Sequence, residues 1–162
     1  MRIYRLPLVA TAVTAAAIDL AEINPNTSQM LKLLGVRLGQ STELGDAQDE
    51  ELIVSLVTGF STGGSGGVGS TTAVPDDVGD SAFGGTCKTF STTQAVSGTT
   101  VTRVLGTWKL IGGEFLWLPV PLTENPGGIW IPYNTRAVIR IPAPADSVTI
   151  AGEVIFGTVG GA

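Results

Sequence analysis

Chemistry in this chain would have to come from its carboxylates. The densest group is Asp46, Asp49, Glu50 and Glu51, and a second lies at Asp76, Asp77 and Asp80. Hard cations such as calcium take several oxygens from loops of this kind. The first group does not match the spacing of an EF-hand loop and lacks its required glycine, so both groups read more plainly as solvated acidic loops. Paired carboxylates also hydrolyse glycosides, but that needs a separation of roughly 5–10 Å across a cleft, which spacing alone does not supply. The chain has no histidine. Its absence removes Ser-His-Asp and Cys-His catalysis, imidazole–metal sites and histidine pH switching together. The single cysteine, Cys87, has no internal disulfide partner and is expected as a buried free thiol. Gly64–Ser70, GSGGVGS, has the glycines of a phosphate-cradling loop. It lacks the Gly-Lys-Ser/Thr ending and no helical pattern follows it, so a flexible linker is the plainer reading. No catalytic residue, cofactor or metal ligand is expected, and the chain reads as a non-enzyme.

The aromatic residues Trp108, Phe115, Trp117, Trp130 and Tyr133 admit three readings: a sugar-binding platform, core packing, or anchors at a contact between subunits. Core packing is the plainest of the three at strand positions, and composition adds a reason for contact. Charged residues make up 14% of the 162, against roughly 25% in ordinary soluble domains, and mean hydropathy is +0.34. No apolar run approaches the roughly 18–20 residues of a membrane helix. A chain of this size forms one domain with a substantial core, and its low charge implies further burial against neighbouring copies. Net charge is −5 with pI about 4.5, and no run of Lys or Arg forms a stripe. Neither nucleic acid nor membrane is therefore expected as a partner.

The elements that would position these residues are strands. Leu34, Val36 and Leu38 alternate with Gly35 and Arg37, as in a half-buried strand. Leu52–Val57 fits a strand or a helical stripe capped by Asp46. Its β-branched Ile53, Val54, Val57 and Thr58, and its length of about six residues, decide for a strand. These two runs are expected as sheet neighbours, joined by the acidic connection 43–51. Residues 1–12 are expected as an apolar N-terminal arm, carrying Arg2, Ile3, Tyr4, Arg5 and Leu6. Their basic start and the following LPLVATAVTAAA have the outline of a signal peptide, but Pro7, Thr11 and Thr14 interrupt it.

Val13–Ile23 is ambiguous between helix and strand, and Asn24-Pro25-Asn26 reads as a turn. Ser61–Gly85 reads as a long polar loop closing over a sheet edge or reaching a neighbour. Thr86–Val96 and Thr99–Leu105 read as strands turned by Ser97-Gly98. Thr107–Ile111 and Glu114–Val120 read as a hairpin about Gly112-Gly113, and Gly128–Tyr133 as a short apolar run. Ala137–Ile141 and Ser147–Phe156 read as the clearest hairpin, with residues 158–162 left as a tail. The expected fold is all-β: a single-domain antiparallel β-sandwich or jelly roll over residues 13–157.

Several segments resemble one group of proteins. GVRLGQSTELGDAQDEELIVSLVTGFSTGGSGG has the order Gly-Gln-Ser, Gly-Asp-Ala, apolar strand, Ser-Gly-rich loop that is found in small all-β virion proteins of tailed bacteriophages. Val13–Pro25, Trp117–Pro126 (WLPVPLTENP), and RAVIRIPAPADS followed by VTIAGEVIF are similar to further parts of that group, so the resemblance runs from about Val13 to Phe156. Thr86–Gly106 departs from it, lacking the group's Asn-rich strand, and the first dozen residues are unmatched. The resemblance implies a jelly-roll head decoration, or cement, protein. Such a protein binds the major capsid protein as a homotrimer on the outside of the phage head and holds the shell against internal DNA pressure. It also implies capsid contact through the Arg2–Leu6 arm, the Ser61–Gly85 loop or both, and a trimer contact through aromatic strand faces. A tail, baseplate or head-fibre component, and a monomeric carbohydrate-binding module exposing Trp108, Trp117 or Trp130, are the alternatives.

Overall fold

The structure is a computed structural model in which residues 1–14, 16–42, 50–69, 71–120 and 127–160 are described. The strands are β1 (Arg2–Val13), β2 (Ile18–Asn24), β3 (Met30–Gln40), β4 (Glu51–Thr58), β5 (Val74–Pro75), β6 (Thr86–Ser91), β7 (Val101–Lys109), β8 (Glu114–Trp117), β9 (Ile129–Ile131), β10 (Ala137–Ile141) and β11 (Val148–Val159). Sheet A has the order β5-β1-β11-β3-β8, with β9 also on β3, and sheet B has the order β6-β2-β10-β4-β7. Every pairing is antiparallel. The all-β, single-domain sandwich is as expected.

The strand order is that of a jelly roll. Setting aside β5, β6 and β9, the remaining strands pair first with last (β1–β11), second with seventh (β2–β10), third with sixth (β3–β8) and fourth with fifth (β4–β7). That is one long antiparallel ribbon, bent back between β4 and β7 and wrapped around a common core. The core lies between the sheets and is filled by the inward residues of both. Tyr4, Leu6, Leu31, Leu38, Val154 and Phe156 come from sheet A; Leu20, Leu52, Leu56, Trp108 and Ile139 come from sheet B. Tyr4, Phe83 and Phe156 pack ring on ring, with centroids 5.1–5.6 Å apart.

Wrapping the ribbon corrects several local expectations. Among the described residues no strand pairs with its immediate neighbour in sequence. The runs at Leu33 and Leu52 become β3 and β4 in opposite sheets. The Gly112-Gly113 hairpin is instead a crossover: a 3-10 turn at Leu110–Gly112, ended by left-handed Gly113, carries the chain from β7 in sheet B to β8 in sheet A. The terminal hairpin is likewise a crossover from β10 to β11. The expected N-terminal arm is a full member of the sandwich. Its twelve-residue strand pairs with β11 from Arg2↔Thr158 to Val13↔Val148, with a bulge after Leu8. The C-terminal tail also starts later than expected, since Thr158 and Val159 belong to β11. Val13–Ile23 resolves as the end of β1 and the strand β2.

Between β4 and β7 the ribbon carries a long insert, residues 59–100. Its two limbs run antiparallel through the bridges Thr62↔Val96, Ser65↔Thr93 and Val68↔Thr89. Ser97 and Gly98, at φ 63° and 88°, bend it where it leaves the sheet; β6 and β7 on either side do not pair with each other. The insert adds β6 to the edge of sheet B at β2 and β5 to the edge of sheet A at β1. It is a strap over the side of the sandwich, which covers two edges that would otherwise template aggregation. Of the two expectations for Ser61–Gly85, closure over a sheet edge is the one observed.

Candidate interaction surfaces

The acidic residues are spread through the structure. Asp46 and Asp49 lie outside the described residues. Glu50 Oε1 accepts from Ala145 N at 2.6 Å, and Glu51 lies 3.2 Å from Lys109 Nζ. Asp76 accepts from Arg5 Nε at 2.6 Å. Asp77 Oδ1 caps its own turn at Gly79 N, and Asp80 lies 3.7 Å from Arg2. Among the described residues no three His, Cys, Asp or Glu side chains come together as a metal site would need. These carboxylates fasten loops and edges.

A charge cluster lies under the strap. Asp19 and Glu22 on β2, with Arg136 and Arg140 at β10, share the outer face of sheet B. A bulge between Ile139 and Arg140 brings Asp19 opposite Arg140. Asp19 is 0% exposed. Its carboxylate accepts from Arg140 Nε at 2.6 Å, from Arg140 NH2 at 3.1 Å and from Ala95 N at 2.6 Å. Arg140 also donates to Ala95 O at 2.8 Å, and its guanidinium carbon lies 4.8 Å from the centre of the Phe60 ring. Glu22 pairs with Arg136 at 2.8 Å and accepts from Gly64 N at 2.8 Å. Lys88 Nζ donates to Gly64 O at 2.8 Å.

Both limbs of the strap are therefore pinned by charge-assisted hydrogen bonds, which are stronger than neutral ones. The glycine-serine stretch permits the close approach. A Cβ at Gly67 would stand 2.3 Å from the carbonyl oxygens of Thr89 and Phe90. The stretch is thus packed from Gly64 to Val68, where a freely moving linker was expected. Spacing gave a partial signal: Asp19/Glu22 and Arg136/Arg140 are charges inside otherwise apolar strands.

Burial sorts the aromatic candidates. Trp108 and Phe115 are core residues, 1% and 7% exposed, and so are unavailable to a partner. Trp117 is half-buried and packs against the core. Trp130 lies against Lys32, with Nζ 4.7 Å from its ring centre, and Tyr133 is exposed. An exposed row of Trp108, Trp117 and Trp130 does not exist, because alternation along β7 turns Trp108 inward. Of the supposed arm residues, Tyr4 and Leu6 are fully buried, Ile3 and Arg5 lie on the outward side of β1, and Arg2 at the start of the strand, in phase with Tyr4, reaches Asp80.

Apolar side chains remain exposed at many positions, two groups of which lie along strands. Leu116, Leu118 and Val120 lie on and after β8; Ile53, Val101 and Val104 lie on β4 and β7. No strand among the described residues pairs with the other edge of β7. Cys87 is buried, and burial, followed by the charge of Glu22, pushes its thiol up to about 12.

The class defined by this architecture is the antiparallel jelly-roll β-sandwich. No known protein family and no curated protein matches the chain. Among solved structures, it aligns with the T=1 particles derived from infectious bursal virus at 11% identity and a TM-score of 0.22, covering 99% of this chain and 40% of that one. It also aligns with the Gt strain of infectious bursal disease virus at 14% identity and a TM-score of 0.16, covering 99% and 41%. The chain spans about two fifths of those chains' length. Likenesses this distant add nothing to the strand order, on which the jelly-roll assignment rests.

Proposed function

We propose that the protein is a virion structural component, a decoration protein of a tailed-bacteriophage head. In this reading it binds the major capsid protein from outside, as a homotrimer, and stabilises the shell without catalysing a reaction. The support is the resemblance of Val13–Phe156 to such proteins, together with low charge and a jelly-roll architecture. The single observation that carries the reading is the surface: a closed sandwich, strapped at one side, that still exposes Leu116, Leu118 and Val120 at one end and the apolar edge strand β7 along another. Exposed apolar groups clustered on a rigid scaffold suit docking, and an open strand edge suits added backbone hydrogen bonds. Many weak contacts repeated over a shell then sum to firm attachment.

Capsid contact is assigned to these surfaces and to the outward Ile3 and Arg5, with Arg2 at the start of the strand, since Tyr4 and Leu6 belong to the core. Tyr133 and the rim around Trp130 remain for the trimer contact. The test is localisation of the protein in a cryo-EM map of whole particles, combined with titration of purified protein onto undecorated heads. Density over the outer shell and saturable binding are expected. Density at the tail, or no binding to heads, overturns the assignment.

A further inference from the structure

The outward residues of sheet A fall into rows set by the strand register. Ile155 of β11 stands beside Gly35 of β3, Glu153 beside Arg37, and Ala151 beside Gly39. On the flanks, Pro7 of β1 lies beside Glu153 and Leu116 of β8 beside Arg37. Two properties of this face are self-complementary. Charge alternates across the sheet in the order Asp76, Arg5, Glu153, Arg37, Glu114; Arg5 contacts Asp76 and Glu153 at 2.6 and 3.1 Å, and Arg37 contacts Glu114 at 2.9 Å. Relief alternates as well in one row: β11 carries a side chain at Ala151 where β3 has only the hydrogen of Gly39, with no side chain over it, whereas the space over Gly35 is taken by Leu118 and Ile155 of the same chain.

We propose that this face is an interface between two copies of the chain, related by a two-fold axis that runs along the strands between β11 and β3. Rotation about that line lays each β11 on the β3 of its neighbour. Ala151 then settles over Gly39 of the partner subunit, and Ile155 packs against Leu118 of the partner subunit. Glu153 meets Arg37 of the partner subunit, and Pro7 meets Leu116 of the partner subunit. Each contact occurs twice, as an isologous interface requires. The rotation preserves strand direction, so the sheets pack aligned, as twisted sheets do within roughly 30°.

No charge is left unpaired by the contact, because each already has an intramolecular partner, and Glu153 and Arg37 each gain a second one of opposite sign. The four strands that overlap, β1, β11, β3 and β8, at a spacing of about 4.8 Å, and the β11 stretch from Thr149 to Gly157 at about 3.4 Å per residue, give a footprint of roughly 600 Å². Over both partners that reaches the roughly 1,200 Å² at the lower end of specific interfaces. A three-fold contact elsewhere on the molecule is compatible with this one, but capsid docking through Arg5 and Leu116 is not, so the pairing belongs to the free protein; it does not depend on the virion reading.

Light scattering coupled to size exclusion tests it. At concentrations up to roughly 100 µM, well above the Kd of even a weak contact of this size, the wild-type protein is expected to have twice the mass of the Arg37→Glu variant and of the Glu153→Arg variant. In either variant, like charges face each other across the axis. Mixing the two variants in equal amounts restores the higher mass, since each then supplies the charge the other lacks, and simple misfolding of a variant would not be rescued in this way. Gly39→Leu provides an independent arm. A Cβ there meets only Gly113 O at 3.7 Å and Ala151 O at 3.9 Å, so the fold tolerates it, while the hollow for the partner's Ala151 is filled and the mass halves. A wild-type mass equal to that of the variants, a mixture that stays at the lower mass, or a Gly39→Leu variant that keeps the wild-type mass overturns the proposal.

Discussion

Arg140→Ala is expected to destabilise the protein by about 3 kcal/mol, an amount that follows from what it leaves behind. Asp19 is 0% exposed and takes two of its three hydrogen bonds from Arg140. Removing one partner of a buried ion pair costs about 3–5 kcal/mol, because the remaining charge is uncompensated. The Arg140 side chain is itself 23% exposed, so water enters the vacated space and holds the loss near the lower bound. For a chain of this size about 3 kcal/mol corresponds to roughly 6–12 °C in Tm. Urea unfolding followed by far-UV circular dichroism and by the fluorescence of the buried Trp108 measures the loss.

Lys109→Ala is the comparison. It breaks an exposed pair with Glu51, whose side chains are 62% and 50% exposed, and is expected to cost no more than about 0.5 kcal/mol. Arg140 also holds Ala95 O, so the same substitution should open residues 92–97 to limited proteolysis under native conditions. If Arg140→Ala loses no more than Lys109→Ala, the charge cluster does not anchor the strap and the reasoning fails.

Deleting Met1–Leu8 is expected to abolish folding. The deletion removes the buried Tyr4, Leu6 and Leu8 and leaves β11 without its β1 partner. Each large core truncation costs about 2–5 kcal/mol, which together reaches the whole stability of about 5–15 kcal/mol of a typical domain. A cooperative melt in the truncated protein would show that β1 is dispensable.

Cys87 gives a pH-dependent test. The native thiol is raised from 9.0 to about 12. Below pH 9 it is protonated in both states and contributes no pH dependence. Between pH 9 and about 12 only the unfolded thiol ionises, so stability falls as pH rises, by about 4 kcal/mol over the full gap. Cys87→Ala removes that part of the alkaline decline, and parallel alkaline profiles for the two proteins would contradict the assignment. The same burial predicts that thiol reagents at pH 8 label Cys87 only after unfolding.

Strand positions were legible because the period-two signal is local. Leu31–Gln40, Glu51–Gly59 and Ala137–Ile141 correspond within a residue or so to β3, β4 and β10. Trp108 and Phe115 were placed at an interface because aromatic type does not distinguish a core residue from a contact residue; only the side of the strand they occupy decides, and that depends on the sheet. The buried pairs Asp19–Arg140 and Glu22–Arg136 were invisible for a related reason, since the paired residues are far apart in the chain and meet only once β2 and β10 are adjacent.

The all-β class and most strand limits were written in the residues themselves, through alternation, β-branching and the turn formers between runs. Partnership was not. Closing a longer loop costs only slightly more entropy than closing a shorter one, so no local feature required β10 to turn back on β11 when β2 and β4 offered better-matched edges. Which strands met, which faces were covered and which charges were stranded beneath the strap were decided by wrapping the whole ribbon around one core.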